Sequence, residues 1–227
     1  MQILRTEGII LKVIDFRDYD QIMTVFTQER GIVKWILKKG KPVQGKPQGK
    51  ISPLTCAEFI YIETKGDIWK CREISALNHY LKLRENYGWL ETAGRLIQRI
   101  LESQAEQKPA PRLYKLLNAY LEKIPLTMSL PALEISFILY LLKHEGLINL
   151  DLHCSVCQKP LQSLHMVRGD HFCNIHAPLD AFVFDEEETL AWMQLAACQT
   201  FSELQTIAIP ESLSLKAEQL LKNLMHN

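Results

Sequence analysis

Residues 6–38 read TEGIILKVIDFRDYDQIMTVFTQERGIVKWILK, and the fold of the first third of the chain turns on them. TEGIILKVI (6–14), QIMTVFT (21–27) and GIVKWIL (31–37) are rich in β-branched residues, the composition of strands. In the second run Ile22, Thr24 and Phe26 point one way, Met23 and Val25 the other, because successive side chains alternate across a strand. Gln28 to Arg30 followed by Gly31 makes a hairpin turn, with a glycine able to take positive φ. Two further runs, CAEFIYIET (56–64) and IWKCREI (68–74), are separated by the turn residues Lys65, Gly66 and Asp67. Five short strands with glycine-containing connections predict a small barrel or sandwich over residues 1–80.

Between the third and fourth strands lies KKGKPVQGKPQGKISP (38–53), with three glycines, three prolines and no acid. Proline removes backbone donors, so this stretch is neither a central strand nor a helix interior; it reads as a long exposed loop.

After residue 82 the period changes to that of a helix. Trp89, Leu90, Ala93, Leu96, Ile97, Ile100 and Leu101 fall on one stripe of residues 86–104. PRLYKLLNAYLEKI (111–124) follows, with proline at its first turn. PALEISFILYLLKHEG (131–146) is apolar nearly all round, which places it at a bundle centre, and Gly146 is its C-terminal stop. The tail holds three more helical stretches. DEEETLAWMQLAA (185–197) carries acids where the helix dipole favours them, TFSELQTI (200–207) offers a Thr200/Glu203 capping box, and SLSLKAEQLLKNLMHN closes the chain. The domains expected are 1–80 and 81–227.

The 227 residues hold 26 basic and 26 acidic side chains, but the zero net charge hides a gradient. Residues 1–80 carry +4, residues 81–150 carry +2 and residues 151–227 carry −6. A basic front suits an anionic partner. Hydrophobic residues at 47% exclude disorder as the main state, and no run approaches the roughly 18 apolar residues of a membrane span. The N-terminus lacks the pattern of a signal peptide, so a cytoplasmic protein is expected.

Three of the six cysteines fall in CSVCQKPLQSLHMVRGDHFCNIH (154–176). Cys154 and Cys157 form one Cys-x-x-Cys pair, and Cys173 with His176 forms a second knuckle after a stretch long enough for a short hairpin. Thiolate and imidazole ligands in a closed tetrahedral shell are what structural zinc takes. His153, His165 and His171 are rivals for the fourth place, and three unrelated thiols in a polar loop is the alternative. Cys56, Cys71 and Cys198 read as inert thiols in apolar runs.

Lys34, Lys38, Lys39, Lys41, Lys46 and Lys50 crowd one short span without an acid among them. Lysine meets phosphate as a point charge, and with Trp35, Tyr19 and Tyr61 on a small barrel this predicts a sequence-tolerant, salt-sensitive nucleic-acid groove. The alternative is a solvated loop, with Trp35 in the barrel core. No Walker loop, GxSxG, HExxH or GxGxxG is present, and nothing in the sequence supports an enzyme. A zinc-dependent nuclease is disfavoured by the closed ligand set and the lack of a paired general base.

The order of these features resembles the RecO family of bacterial recombination mediators. The residues that carry the likeness are the opening TEGIILKVIDFRDYDQIMTVFTQERGIVKWILKKGKP, PLT at 53–55, and HEGLINLDLHCSVC with the second knuckle after it. The resemblance implies an α+β chain: an N-terminal OB-fold, then a helical domain with an inserted zinc module, at 151–183 in this chain. It implies a DNA repair and recombination protein that binds single- and double-stranded DNA and anneals complementary strands. It implies work with RecR to load RecA onto DNA coated with single-strand-binding protein (SSB), whose C-terminal tail is a further partner, and a nucleoid-associated location. On this reading the DNA-binding residues are Lys34, Trp35, Lys38, Lys39, Lys41, Lys46 and Lys50. A second reading is an adaptor that docks SSB and RecR with weak DNA affinity of its own, its tail site near Arg95, Arg99 and Arg112. Three features depart from the family's pattern. Arg17 stands at a turn position usually glycine, lysines replace arginines in the loop, and His176 replaces a fourth cysteine.

Overall fold

The structure is a computed structural model that describes residues 2–17, 20–38 and 51–225. It divides into two compact units, Met1–Pro125 and Leu126–Asn227.

The first unit is built on β1 (Ile3–Phe16), β2 (Asp20–Thr27), β3 (Gly31–Lys38), β4 (Thr55–Ile62) and β5 (Ile68–Asn78). They close a barrel in the order β1-β2-β3-β5-β4, every contact antiparallel except β3 with β5. That order and the single parallel seam define the OB-type barrel. Side-chain alternation along the strands fills it: Met23, Val25, Val33, Trp35, Phe59, Tyr61 and Trp69 form the interior. Trp35 packs at 4.6 Å from Phe59 and 5.0 Å from Tyr61, and Tyr61 stacks on Trp69 at 5.6 Å. Phe26, on the opposite face of β2, lies edge-on to Tyr114 at 5.8 Å.

Two turns need their backbone geometry. Gly31 takes φ +66, and a Cβ there would sit 2.0 Å from the Lys108 carbonyl oxygen, so closeness as well as dihedral excludes a side chain. Arg17 takes φ +56, so the turn keeps the left-handed conformation that glycine would adopt without cost.

Helices α1 (Tyr87–Ser103) and α2 (Pro111–Lys123) complete this unit. Asn86 caps α1, its side chain accepting from the Gly88 and Trp89 N–H groups. α2 is tied to the barrel by Tyr114, whose hydroxyl donates to Glu7 Oε1 at 2.7 Å. Cys56 and Cys71 are buried, and burial pushes their thiols up to about 11 and about 12. Both are therefore protonated, inert thiols near neutral pH.

The second unit contains α3 (Leu130–His144), β6 (His165–Val167), β7 (Asp170–Phe172), β8 (Phe182–Val183), α4 (Glu186–Ala197), α5 (Phe201–Leu204) and α6 (Glu211–Met225). α3 buries residues all round, as its sequence requires, and packs against α4 and α6. It ends in a Schellman motif: the N–H of Leu147 reaches the Leu142 carbonyl at 2.9 Å, that of Gly146 the Lys143 carbonyl at 3.1 Å, and Gly146 takes φ +72. Cys198 caps α4 and is half-buried.

One acid differs from expectation. The cluster 185–188 reads as solvated dipole compensation, and Asp185 does cap α4, but Glu188 is fully buried. It completes a capping box by accepting from the Asp185 N–H at 2.8 Å, and it is ion-paired with Lys216 of α6. Lys216 also donates to the Val183 carbonyl at 2.9 Å. The sequence could not pair residues 28 positions apart.

Candidate metal centre and nucleic-acid interface

Cys154, Cys157, Cys173 and His176 come together, one ligand atom from each lying within 4.8 Å of the others. His176 Nδ1 is 3.7 Å from Cys154 Sγ and 3.3 Å from Cys173 Sγ. A tetrahedral ion with bonds of about 2.0–2.3 Å separates its ligands by roughly 3.3–3.8 Å, and both His176–cysteine distances fall in that range. Among the described residues it is the one group of His, Cys, Asp and Glu side chains arranged to hold an ion.

Local structure builds the site. In the first knuckle the Gln158 N–H returns to the Cys154 carbonyl at 2.9 Å, with Gln158 at φ +57. In the second the His176 N–H returns to the Cys173 carbonyl at 3.1 Å. Between them β6 and β7 pair as the hairpin the spacing demands. Its turn, Arg168 and Gly169, has φ +51 and +89, the two-positive pattern of a tight hairpin. A Cβ on Gly169 would meet the Leu147 carbonyl oxygen at 1.8 Å, so the hairpin lies hard against the end of α3.

The Cys157 N–H, then the Cys173 and Val156 N–H groups and His176, pull the Cys154 thiol down to about 5 against its burial. It is a thiolate at neutral pH, the form that binds metal. At Cys157 the Lys159 N–H pulls down, but burial and the Cys154 and Cys173 thiols outweigh it and leave that thiol raised. None of the rival histidines is in the cluster. His153 Nδ1 is 2.6 Å from Asp151 Oδ1, His171 Nδ1 is 2.7 Å from the Asp151 carbonyl, and His165 stands on β6 opposite Phe172.

The expected nucleic-acid residues separate. Lys34 and Lys38 stand on β3 outside the barrel, Lys38 exposed and Lys34 ion-paired with Glu106. Lys39, Lys41, Lys46, Lys50 and Tyr19 lie outside the described residues. Trp35 corrects the sequence reading. It is 0% exposed among Phe59 and Tyr61, with Tyr61 itself at 2%, so neither ring can stack on a base while the barrel is closed. Strand parity decides this: Trp35 alternates with Lys34 and Ile36, which face outward. Arg99, placed by charge alone near a tail-binding site, is 4% exposed on α1, and Arg95 pairs with Glu91 at 2.9 Å.

What sequence reasoning missed is a groove of about 710 Å³ between the outer side of β1–β3 and α1. Lys12 and Lys34 line one side, and Leu90, Gly94, Ile97 and Leu101 the other. Pro53 and Leu54, which follow the lysine-rich segment, also line it. Arg84 donates to the Pro53 carbonyl at 3.1 Å and to Ser52 Oγ at 3.2 Å, which pins the chain there. No helix among the described residues is long and apolar enough to cross a membrane.

A closed OB-type barrel, helices docked on it and a cysteine–histidine knuckle pair in a separate helical unit define an OB-barrel protein with a candidate structural metal centre. The chain belongs to the recombination protein O family, whose N-terminal model matches residues 1–80 and whose C-terminal model matches residues 85–227. It is 27% identical to the DNA repair protein RecO of Chlamydia muridarum over 228 residues, which covers 99% of this chain and 97% of that one. It is also 27% identical to the DNA repair protein RecO of Chlamydia trachomatis serovar D, over 86% of this chain and 82% of the relative. A likeness to the Geobacter metallireducens protein of the same name, at 28%, covers 69% of this chain and 64% of the relative.

Proposed function

We propose that this protein is a non-enzymatic DNA-binding and strand-annealing mediator of recombinational repair. The observation that carries the reading is an OB-type barrel whose β3 presents Lys34 and Lys38 outward and is followed in the sequence by the lysine-rich segment 39–50. Two DNA strands repel each other through their phosphates, and lysines that neutralise those phosphates bring the strands within pairing distance. Lysine contacts phosphate without reading sequence, so the activity is sequence-tolerant.

RecR, the SSB C-terminal tail and, through them, RecA are the partners this reading assigns, in a cytoplasmic, nucleoid-associated setting. The division of labour follows residues 1–80 for DNA and 81–227 for helical docking and the metal module. Cys154, Cys157, Cys173 and His176 would hold zinc, which would close the two knuckles around the β6–β7 hairpin. Four protein ligands leave no place for a reacting water, so the ion's contribution is structural.

Changing Lys38, Lys39, Lys41 and Lys46 together to alanine tests the DNA surface. The expected result is loss of most affinity for single-stranded DNA at moderate salt, with the fold intact by circular dichroism. Undiminished binding refutes the assignment. Binding of RecR or an SSB-tail peptide by a protein that binds no DNA favours the adaptor reading.

A further inference from the structure

The register of the barrel assembles a set of side chains that no sequence window brings together. Thr24 of β2 stands between Lys12 of β1 and Lys34 of β3. Two residues along, Ile22 stands between Ile14 and Ile36, and Ile36 pairs with Lys70 of β5. Lys38 opposes Asp20 at the end of the same ladder. Met23, Val33, Trp35 and Trp69, the alternate positions, fill the interior, so this set faces outward. Lys12, Ile14, Lys38 and Lys70 are exposed, while Ile22 and Ile36 are half-buried.

The result is an aliphatic band across three strands, Ile14–Ile22–Ile36, with Lys12 and Lys34 along one border and Lys70 closing its end. From β1 to β5 the band spans about 14 Å measured along the sheet. Asp20 is the acid on the ladder, and Glu106 partners Lys34 from beside it. Four lysines outweigh them, so the face is complementary to an anion with apolar surfaces of its own. The β2–β3 side of an OB barrel is where oligonucleotides lie, and aromatic rings ordinarily supply the stacking there. In this barrel Trp35, Phe59, Tyr61 and Trp69 are all turned inward.

Resting on the DNA-binding reading above, we infer that single-stranded DNA crosses this band. Its phosphates sit on Lys12, Lys34 and Lys70, and its bases lie over the three isoleucines rather than stacked between rings. An aliphatic surface shelters a base from water but does not grip its π face. The pairing edges stay open to a second strand, and duplex formation takes the bases off the band while the phosphates remain neutralised. Holding DNA without stacking makes the face one that releases what it has annealed.

The test uses the full-length protein and a labelled 30-nucleotide single strand in a salt series. Lys12→Gln with Lys70→Gln removes two phosphate contacts, so the slope of log affinity against log salt should shrink by about 1.4. Ile22→Tyr and Ile36→Tyr, each made singly, install a ring on the band. Each should strengthen single-strand binding about fivefold and slow annealing of complementary strands. An unchanged slope in the lysine double variant, with the wild type still binding, overturns this inference and leaves the DNA reading standing. Tyrosine variants that fold but change neither affinity nor annealing overturn it as well. No binding by the wild type removes the DNA reading itself, and this inference with it.

Discussion

Replacing Lys216 by methionine should unfold the second unit far more easily than any surface substitution. The Glu188 carboxylate is 0% exposed and has Lys216 as its counter-ion. Burial alone would push this carboxyl up. Lys216, then the Ser212 hydroxyl and the Asp185 N–H, outweigh it and hold it below the usual carboxylate range. Removing one partner of a buried pair typically costs about 3–5 kcal/mol, because the other charge is left uncompensated. Methionine preserves the stem's apolar contacts, so little of the loss is packing. The sign with pH follows from the shift. In the wild type the folded carboxyl is depressed, so its stabilisation is complete above about pH 4.5 and is lost as pH falls through the folded value. In Lys216→Met burial wins, Glu188 moves up, and the gap between variant and wild type narrows on acidification. Urea unfolding of both proteins at pH 7 and pH 4.5, read by Trp192 (fully buried on α4) and by circular dichroism, measures the gap. A loss below about 1 kcal/mol at pH 7, or a gap independent of pH, would show that Lys216 does not neutralise a buried Glu188 charge.

Other perturbations follow from the same geometry. Cys173→Ser should abolish retention of zinc by the purified protein and lower the stability of the second unit, while the barrel's unfolding stays unchanged; metal analysis with circular dichroism checks both. Gly169→Ala forces a side chain onto the Leu147 carbonyl at φ +89 and should cost at least about 1–3 kcal/mol in urea unfolding, whereas Gly94→Ala, with open space around its Cβ, should be neutral or stabilising. Trp35→Ala should destabilise the barrel by about 3–5 kcal/mol, as loss of a core indole does, which marks the residue as structural.

Much of this architecture was legible in the residues. β-branched runs at 21–27 and 31–37 gave strands, and two knuckles at the right spacing gave the Cys/His cluster that could hold a metal, His176 among its four residues. Local signals such as Gly31, Gly146 and Asn86 fall where backbone physics needs them. What stayed hidden depends on register and distant pairing. Trp35 suggests base stacking until its neighbours on β3 settle which side it faces. Lys12 and Lys70 belong to β1 and β5, and only barrel closure brings them beside Lys34. Glu188 looked solvated because its partner lies on another helix, and Arg99 looked available because helix position alone does not reveal burial.

DNA binding by the barrel is measured most directly by fluorescence anisotropy of labelled single-stranded DNA against the intact protein from low to physiological salt. If Lys34, Lys38, Lys39, Lys41, Lys46 and Lys50, with Lys12 and Lys70 beside them, carry the binding, log affinity should fall with log salt with a slope of about −5.6, near −0.7 for each phosphate neutralised. A slope near zero, or no binding at low salt, would contradict a DNA-binding role for the barrel.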